Sequence, residues 1–183
     1  MNTYNFTTMY KSLLLVVVLA ACSITLSAQT RAEAIQKTLS ERFETAESEL
    51  NAIIAKEPTV ADNFAAAGYN YFYWGVSDQD DANDLAEKIA SAEKCFSKGM
   101  EVAPTNPLNY VGLGHLAAFR GDAAAFSALF TKAEEIMNTK SNKVDKLTKQ
   151  QAYVKMAEAC LMDNNVQLDK ALVYLNTALP FND

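Results

Sequence analysis

The sequence predicts an all-α fold, and three observations carry that expectation. Glycine and proline are scarce, 6 and 4 among 183 residues, whereas a β-sandwich or barrel needs a turn signal every ~8–12 residues. Alanine, the best helix former, arrives in runs such as Ala65-Ala66-Ala67 and Ala123-Ala124-Ala125. From Arg31 onward the apolar residues recur at steps of three and four. With 50% hydrophobic residues the chain has the means to build a core, and its length suits one compact domain or one short solenoid.

The first element is a targeting segment. Residues 12–30 carry no charge, Lys11 precedes them, and Leu13-Leu14-Leu15-Val16-Val17-Val18-Leu19-Ala20-Ala21 forms a short apolar centre. A positive start, an apolar middle and small residues at the exit are the layout of a secretory signal peptide. The apolar centre falls short of the ~20 residues of a membrane span. Two exits compete. Leu26-Ser27-Ala28 before Gln29 resembles an ordinary signal-peptidase site, giving a signal peptide over residues 1–28. Leu19-Ala20-Ala21-Cys22 resembles a bacterial lipobox, with Cys22 lipidated, although Ile24 and Leu26 keep the stretch apolar beyond it. An uncleaved anchor is the third reading. Each places the protein in the cell envelope or outside, in the periplasm or at the outer membrane, and reaching a membrane only through the signal or a lipid.

Lys11 is the only charge ahead of Arg31, so the remainder carries 15 basic and 22 acidic residues. An acidic surface repels phosphate, which argues against nucleic-acid binding. Cys95 and Cys160 sit among apolar helix positions and read as buried thiols acting as small hydrophobes. No CxxC is present to support metal or redox chemistry.

Residues 31–58 read as a single N-terminal capping helix. Its stripe is Ile35, Leu39, Phe43, Ala46, Leu50, Ile53 and Ile54, ended by Glu57-Pro58. Thr59 with Asp62 resembles a capping box that starts the next helix. A period then appears. Phe64-x2-Ala67-Gly68-x2-Tyr71, Tyr110-x2-Leu113-Gly114-x2-Ala117 and Tyr153-x2-Met156-Ala157-x2-Cys160 share one layout. Each is followed by a second pattern: Ala92-x3-Phe96-x2-Gly99-x4-Pro104, then Phe126-x3-Phe130-x2-Ala133, then Ala171-x3-Leu175-x2-Ala178. Asn106-Pro107 reads as a helix start and Gly121-Asp122 as a turn.

These residues resemble the tetratricopeptide repeat (TPR) family, whose pattern joins a large residue, Leu-Gly and Tyr in one helix to Ala, Phe and Pro in the next. The resemblance covers about residues 40–183 and implies a right-handed α-solenoid of antiparallel helix pairs, a TPR-like superhelix. Three repeats follow the capping helix, about 59–104, 105–140 and 148–183. The spacing departs from the family period of 34 residues: Gly68 to Gly114 spans 46 and Gly114 to Ala157 spans 43. The first excess lies around Trp74–Asp84 and the second around Ser141–Lys149.

Catalysis has little to stand on. His115 is the only histidine, and neither a GxSxG elbow nor a phosphate loop is present. No enzyme activity, metal or cofactor is expected. The acidic stretch Asp78–Asp84 fails the calcium-loop template and reads as a solvated loop with a helix cap. Lys140, Lys143, Lys146 and Lys149 read as a solvated connector, interrupted by Asp145.

By the resemblance, the first helix of each repeat lines a concave groove. Its inward positions are Asp62, Ala65, Tyr69, Phe72 and Tyr73, then Leu108, Val111, His115, Ala118 and Phe119, then Gln151, Val154, Glu158, Leu161 and Met162. The expected partner-binding groove is Tyr69, Phe72, Tyr73, Val111, His115, Phe119, Glu158 and Met162, because aromatic groups on a concave face make good anchors. The competing reading is that Tyr69 to Trp74 buries itself against a neighbouring helix. The expected role is a non-catalytic scaffold that holds a peptide or helix of another envelope protein. The alternative is structural. Asp183 follows directly on the last helix, and Leu172, Leu175 and Leu179 need cover, either from a longer solenoid or from self-association.

Overall fold

A computed structural model describes residues 30–77, 81–162 and 166–181. The proposed signal, Cys22 and Asp78 lie outside the described residues. Those residues are all helical, with no strand among them, and helices that follow one another in sequence pack against one another. None of these helices is long and apolar enough to cross a membrane.

The stripe over 31–58 is split into two helices, which corrects the single capping helix. Helix α1 covers 30–39 and α2 covers Phe43–Lys56. Between them Glu41 takes a left-handed conformation, φ 57°. The Arg42 N–H bonds back to the Lys37 carbonyl and the Glu41 N–H to the Thr38 carbonyl, a Schellman closure of the helix end. Leu39 consequently leaves the stripe and stands exposed.

Helix α3, Ala61–Ser77, starts at Ala61, so Val60 rather than Thr59 occupies the cap position and the expected capping box is out of register. Helix α4, Ala82–Val102, is capped by Asp81, whose carboxylate accepts from the N–H groups of Asn83 and Asp84. The long α3 and α4 absorb the first excess in spacing. Helix α5, Pro107–Phe119, begins as the sequence implies, with the Asn106 side chain accepting from the Leu108 N–H at 2.9 Å. Gly121 (φ 72°) ends it with the same closure found at Glu41: Asp122 N–H to Ala117 and Gly121 N–H to Ala118. Asp122 then caps α6, Ala123–Asn138. A 3-10 turn over Lys140–Asn142 takes up the second excess. Helix α7, Lys146–Cys160, is capped by Asp145, and α8 covers Leu168–Ala178 with a closing 3-10 turn, Leu179–Phe181.

One packing device recurs. The Phe96 ring, fully buried on α4, lies against Gly68 of α3 and Gly112 of α5, where any Cβ would strike it. Phe130 of α6 lies against Gly114 in the same way. Each buried ring contributes about 1.5–3 kcal/mol relative to exposure, and the missing side chains let the helices close on it. In α8 the buried residues are Ala171, Tyr174 and Ala178, and Leu175 is exposed. Tyr174, 6.0 Å from Phe130 and 6.2 Å from Tyr153 between ring centroids, is therefore the packing residue that the sequence pattern assigned to Leu175. Buried amides tie helices of different pairs together. The Asn70 amide donates to the Phe43 carbonyl and accepts from the Thr38 hydroxyl, and the Asn109 amide donates to the Ala61 carbonyl.

Candidate binding groove

Helices α1, α3, α5 and α7 enclose a cavity of about 300 Å³. Its floor is a helical stripe on α3, Ala65, Ala66, Tyr69 and Tyr73, joined by Leu108 at the start of α5. Small alanines at the middle of the stripe leave the space. One wall comes from α1 through Ile35, Thr38 and Leu39; the other comes from Asp145 and from α7 through Leu147, Thr148, Gln151 and Lys155. Ala34 and Thr38 are buried, which turns Ile35 and Leu39 toward the cavity. At the N-terminal end of α7 the Asp145 carboxylate is engaged by the Thr148 N–H and hydroxyl, which draws its carboxyl below the usual range against the opposing effect of partial burial.

Charge is paired at both ends. At one, Arg31 reaches Asp62 at 3.3 Å and donates to the Asn63 side-chain Oδ1 at 3.1 Å, while the Asn106 amide donates to Asp62. At the other, Lys155 pairs with Glu158 at 2.8 Å, the Tyr73 hydroxyl donates to Glu158 at 2.7 Å, and Lys155 also reaches that hydroxyl. The ammonium lies 5.0 Å and 4.8 Å from the centroids of the Tyr69 and Tyr73 rings, within cation–π range. Burial, with Glu158 adding to it, holds both tyrosine hydroxyls well above their ordinary range, so both stay protonated.

Of the eight residues expected to form the groove, Tyr69 and Tyr73 line this cavity. Most of the others pack into the interior beside it. Phe72, Val111 and His115 are 1%, 0% and 2% exposed, out of a partner's reach. Phe72 stands 4.9 Å from the His115 ring and 5.9 Å from that of Phe119, and Tyr69 stands 5.8 Å from His115. Met162 packs against the same cluster. Val111 belongs to the core below, and Glu158 is joined to the cluster through Tyr73. The physical reason is curvature: α3 and α7 come close enough to bond to each other, and between them they cover the inner face of α5. Trp74 is likewise packed, stacked on Phe43 at 6.0 Å with the Lys88 ammonium 3.8 Å from its ring centroid. Asp62, Ala65, Leu108 and Gln151, also read as inward positions, do line the cavity. The α1 wall and the residues from Asp145 to Thr148 were not anticipated. Ile35 and Leu39 at i, i+4 were the available sign, absorbed into a stripe that continued past the hidden turn.

Burial pushes His115 down to about 4; Glu158 opposes this and Lys155 adds to it. The imidazole is neutral at neutral pH. Cys95 and Cys160 are free thiols, and burial raises both, Cys95 to about 11. Among the described residues no group of three or more His, Cys, Asp and Glu side chains is placed to hold a metal ion. The cavity offers an apolar, alanine-floored slot with a neutralised ion pair at each end, an arrangement that holds and orients an apolar group. No protein-family model and no curated protein matches the chain.

Proposed function

We propose that this chain is an envelope-located binding scaffold, a TPR-like solenoid whose inner face grips an apolar segment of another envelope protein in the cavity between α1 and α7. The observation that carries the reading is the cavity itself. Leu39 and Leu147, 60% and 61% exposed, stand on its two walls, above a floor of Ala65, Ala66, Tyr69 and Leu108. Large apolar groups held in water beside a preformed slot are the usual mark of a docking site. A volume of about 300 Å³ lies at the lower end of the range of small-ligand pockets. That suits the anchor side chains of a helix or extended peptide laid across the slot. The repeat pattern and the stacking of consecutive helix pairs support the solenoid; the apolar segment behind Lys11 supports export.

Affinity capture from a detergent-solubilised envelope extract tests the reading. The chain is compared with a Leu39→Glu, Leu147→Glu variant whose helical circular dichroism and melting temperature are unchanged. The expected result is a partner held by the first and lost by the second. Equal capture by both, or none by either, overturns the assignment.

A further inference from the structure

Large apolar side chains that remain exposed are concentrated in one place. Of the nine such residues among those described, seven lie between Leu161 and Leu179: Leu161, Val166, Leu168, Leu172, Val173, Leu175 and Leu179, at 42–67% exposure. Helix α8 is the centre of this patch, and it differs from its counterparts in the earlier helix pairs. The exposed positions of α4 include Glu87, Lys94, Lys98 and Glu101; those of α6 include Ser127, Thr131, Lys132 and Glu135. On α8 they are Leu168, Asp169, Leu172, Val173, Leu175 and Asn176, with Asp169 the one charge. The helix is therefore apolar on two faces, one turned to α7 through Ala171, Tyr174 and Ala178, the other to water. A second apolar face on a helix already packed through its first is surface that a partner can cover.

We infer that the α8 face pairs with the α8 face of a second copy of this chain. Leu168, Leu172 and Leu175 of α8 and Leu179 of the closing 3-10 turn are spaced four, three and four apart, the a/d register of a coiled-coil seam. Such a seam is complementary to itself, which is the one requirement of a two-fold contact. Charge favours the same occupant. The chain is acidic overall, net −6, so two copies repel except where they meet through an uncharged stripe. A different protein would be selected by complementary charge, and this face has almost none to offer. Area sets the strength. A large apolar side chain holds roughly 60–120 Å² of buriable surface, so the four seam leucines, standing about half to two-thirds exposed, offer roughly 140–280 Å². A standard interface takes ~800 Å² from each partner. The pairing is thus a reversible, concentration-dependent dimer. It uses a face apart from the groove and stands or falls independently of it.

The test is photo-crosslinking of the full chain in cells. Two differently tagged copies are co-expressed, each with p-benzoylphenylalanine in place of Leu175. The expected product has twice the chain mass and carries both tags. It is lost when Leu168→Lys and Leu179→Lys are added, and absent when the crosslinker replaces Lys132 on α6. Circular dichroism of the purified Leu168→Lys, Leu179→Lys variant checks that these exposed substitutions leave the fold intact. Should that variant unfold, the two-tag product of the parent chain and its absence from position 132 still decide the matter. An adduct with a different protein, an adduct to the chain's own residues, or no adduct overturns the inference.

Discussion

Phe96 lies against backbone on two sides, and this makes its neighbour Gly112 an informative position. A Cβ at Gly112 would have the Phe96 ring as its three nearest atoms, and a Cβ at Gly68 would meet the same ring from α3. The ring cannot retreat from a new methyl on α5 without pressing on α3. Gly112→Ala therefore sets two effects against each other. Overpacking costs about 1–3 kcal/mol, and replacing glycine by alanine in a helix interior returns about 1 kcal/mol. The net expectation is a loss of up to about 2 kcal/mol, which in a chain of this size lowers the melting temperature by up to ~8 °C. Phe96→Leu shrinks and loosens the obstacle. In that background Gly112→Ala should become neutral or raise the melting temperature by ~2–4 °C, a coupling on the order of 1–3 kcal/mol between two residues in contact. Thermal and urea unfolding followed by circular dichroism of the parent, both single variants and the double variant gives the full cycle. If Gly112→Ala stabilises the parent, or costs the same in both backgrounds, the wedge does not set the spacing of α3 and α5.

His115 gives the chain an acid-sensitive component. Its folded value of about 4 lies below the ordinary imidazole value of 6.5. Between those values the unfolded chain takes up a proton that the folded one refuses, so stability falls as pH drops from 6.5 toward 4, by on the order of 3 kcal/mol in all. His115→Gln should flatten that part of the profile. Urea midpoints at pH 4.5 and 7 for both proteins measure it, and equal losses would remove His115 as the cause. Asn70→Ala should cost about 1–3 kcal/mol, because it removes the amide bond to the Phe43 carbonyl and leaves the buried Thr38 hydroxyl only the longer contact to the Ala34 carbonyl, 3.3 Å. It should also loosen α1, seen as faster tryptic cleavage after Lys37; an unchanged cleavage rate at that bond would contradict the role given to Asn70.

The helical class and most helix ends were legible because they were written in residues with local preferences. Asn106-Pro107 started α5 and Gly121-Asp122 turned the chain into α6, as those types dictate. The turn at Glu41 has the same geometry as the one at Gly121, but it is occupied by a residue that gives no warning. It lies between the buried Ala34 and Thr38 of α1 and the buried Phe43 of α2. Missing that turn hid the α1 wall, and with it half of the cavity. The groove aromatics were read as inward-facing positions of α3 and α5, and of these Tyr69 and Tyr73 line the cavity. What sequence spacing does not convey is how tightly successive helices curve, and that curvature decides whether Phe72 and His115 face a partner or each other. In α8, Leu175 and Tyr174 compete for one packing position, and only contact with Phe130 and Tyr153 chooses between them.

The bond between Tyr73 and Glu158 joins residues 85 positions apart and passes over α5 entirely. In an array whose members touch only their nearest neighbours, stability is local, and ends can melt while the middle holds. A direct link from α3 to α7 removes that freedom. Losing α7 strips α3 of its partner, so damage near one end is felt two helix pairs away. The same link raises the sequence separation that must be closed before the native state is reached, which slows folding relative to a purely local helical stack. The expected consequence is a single cooperative unfolding transition spanning α3 to α7.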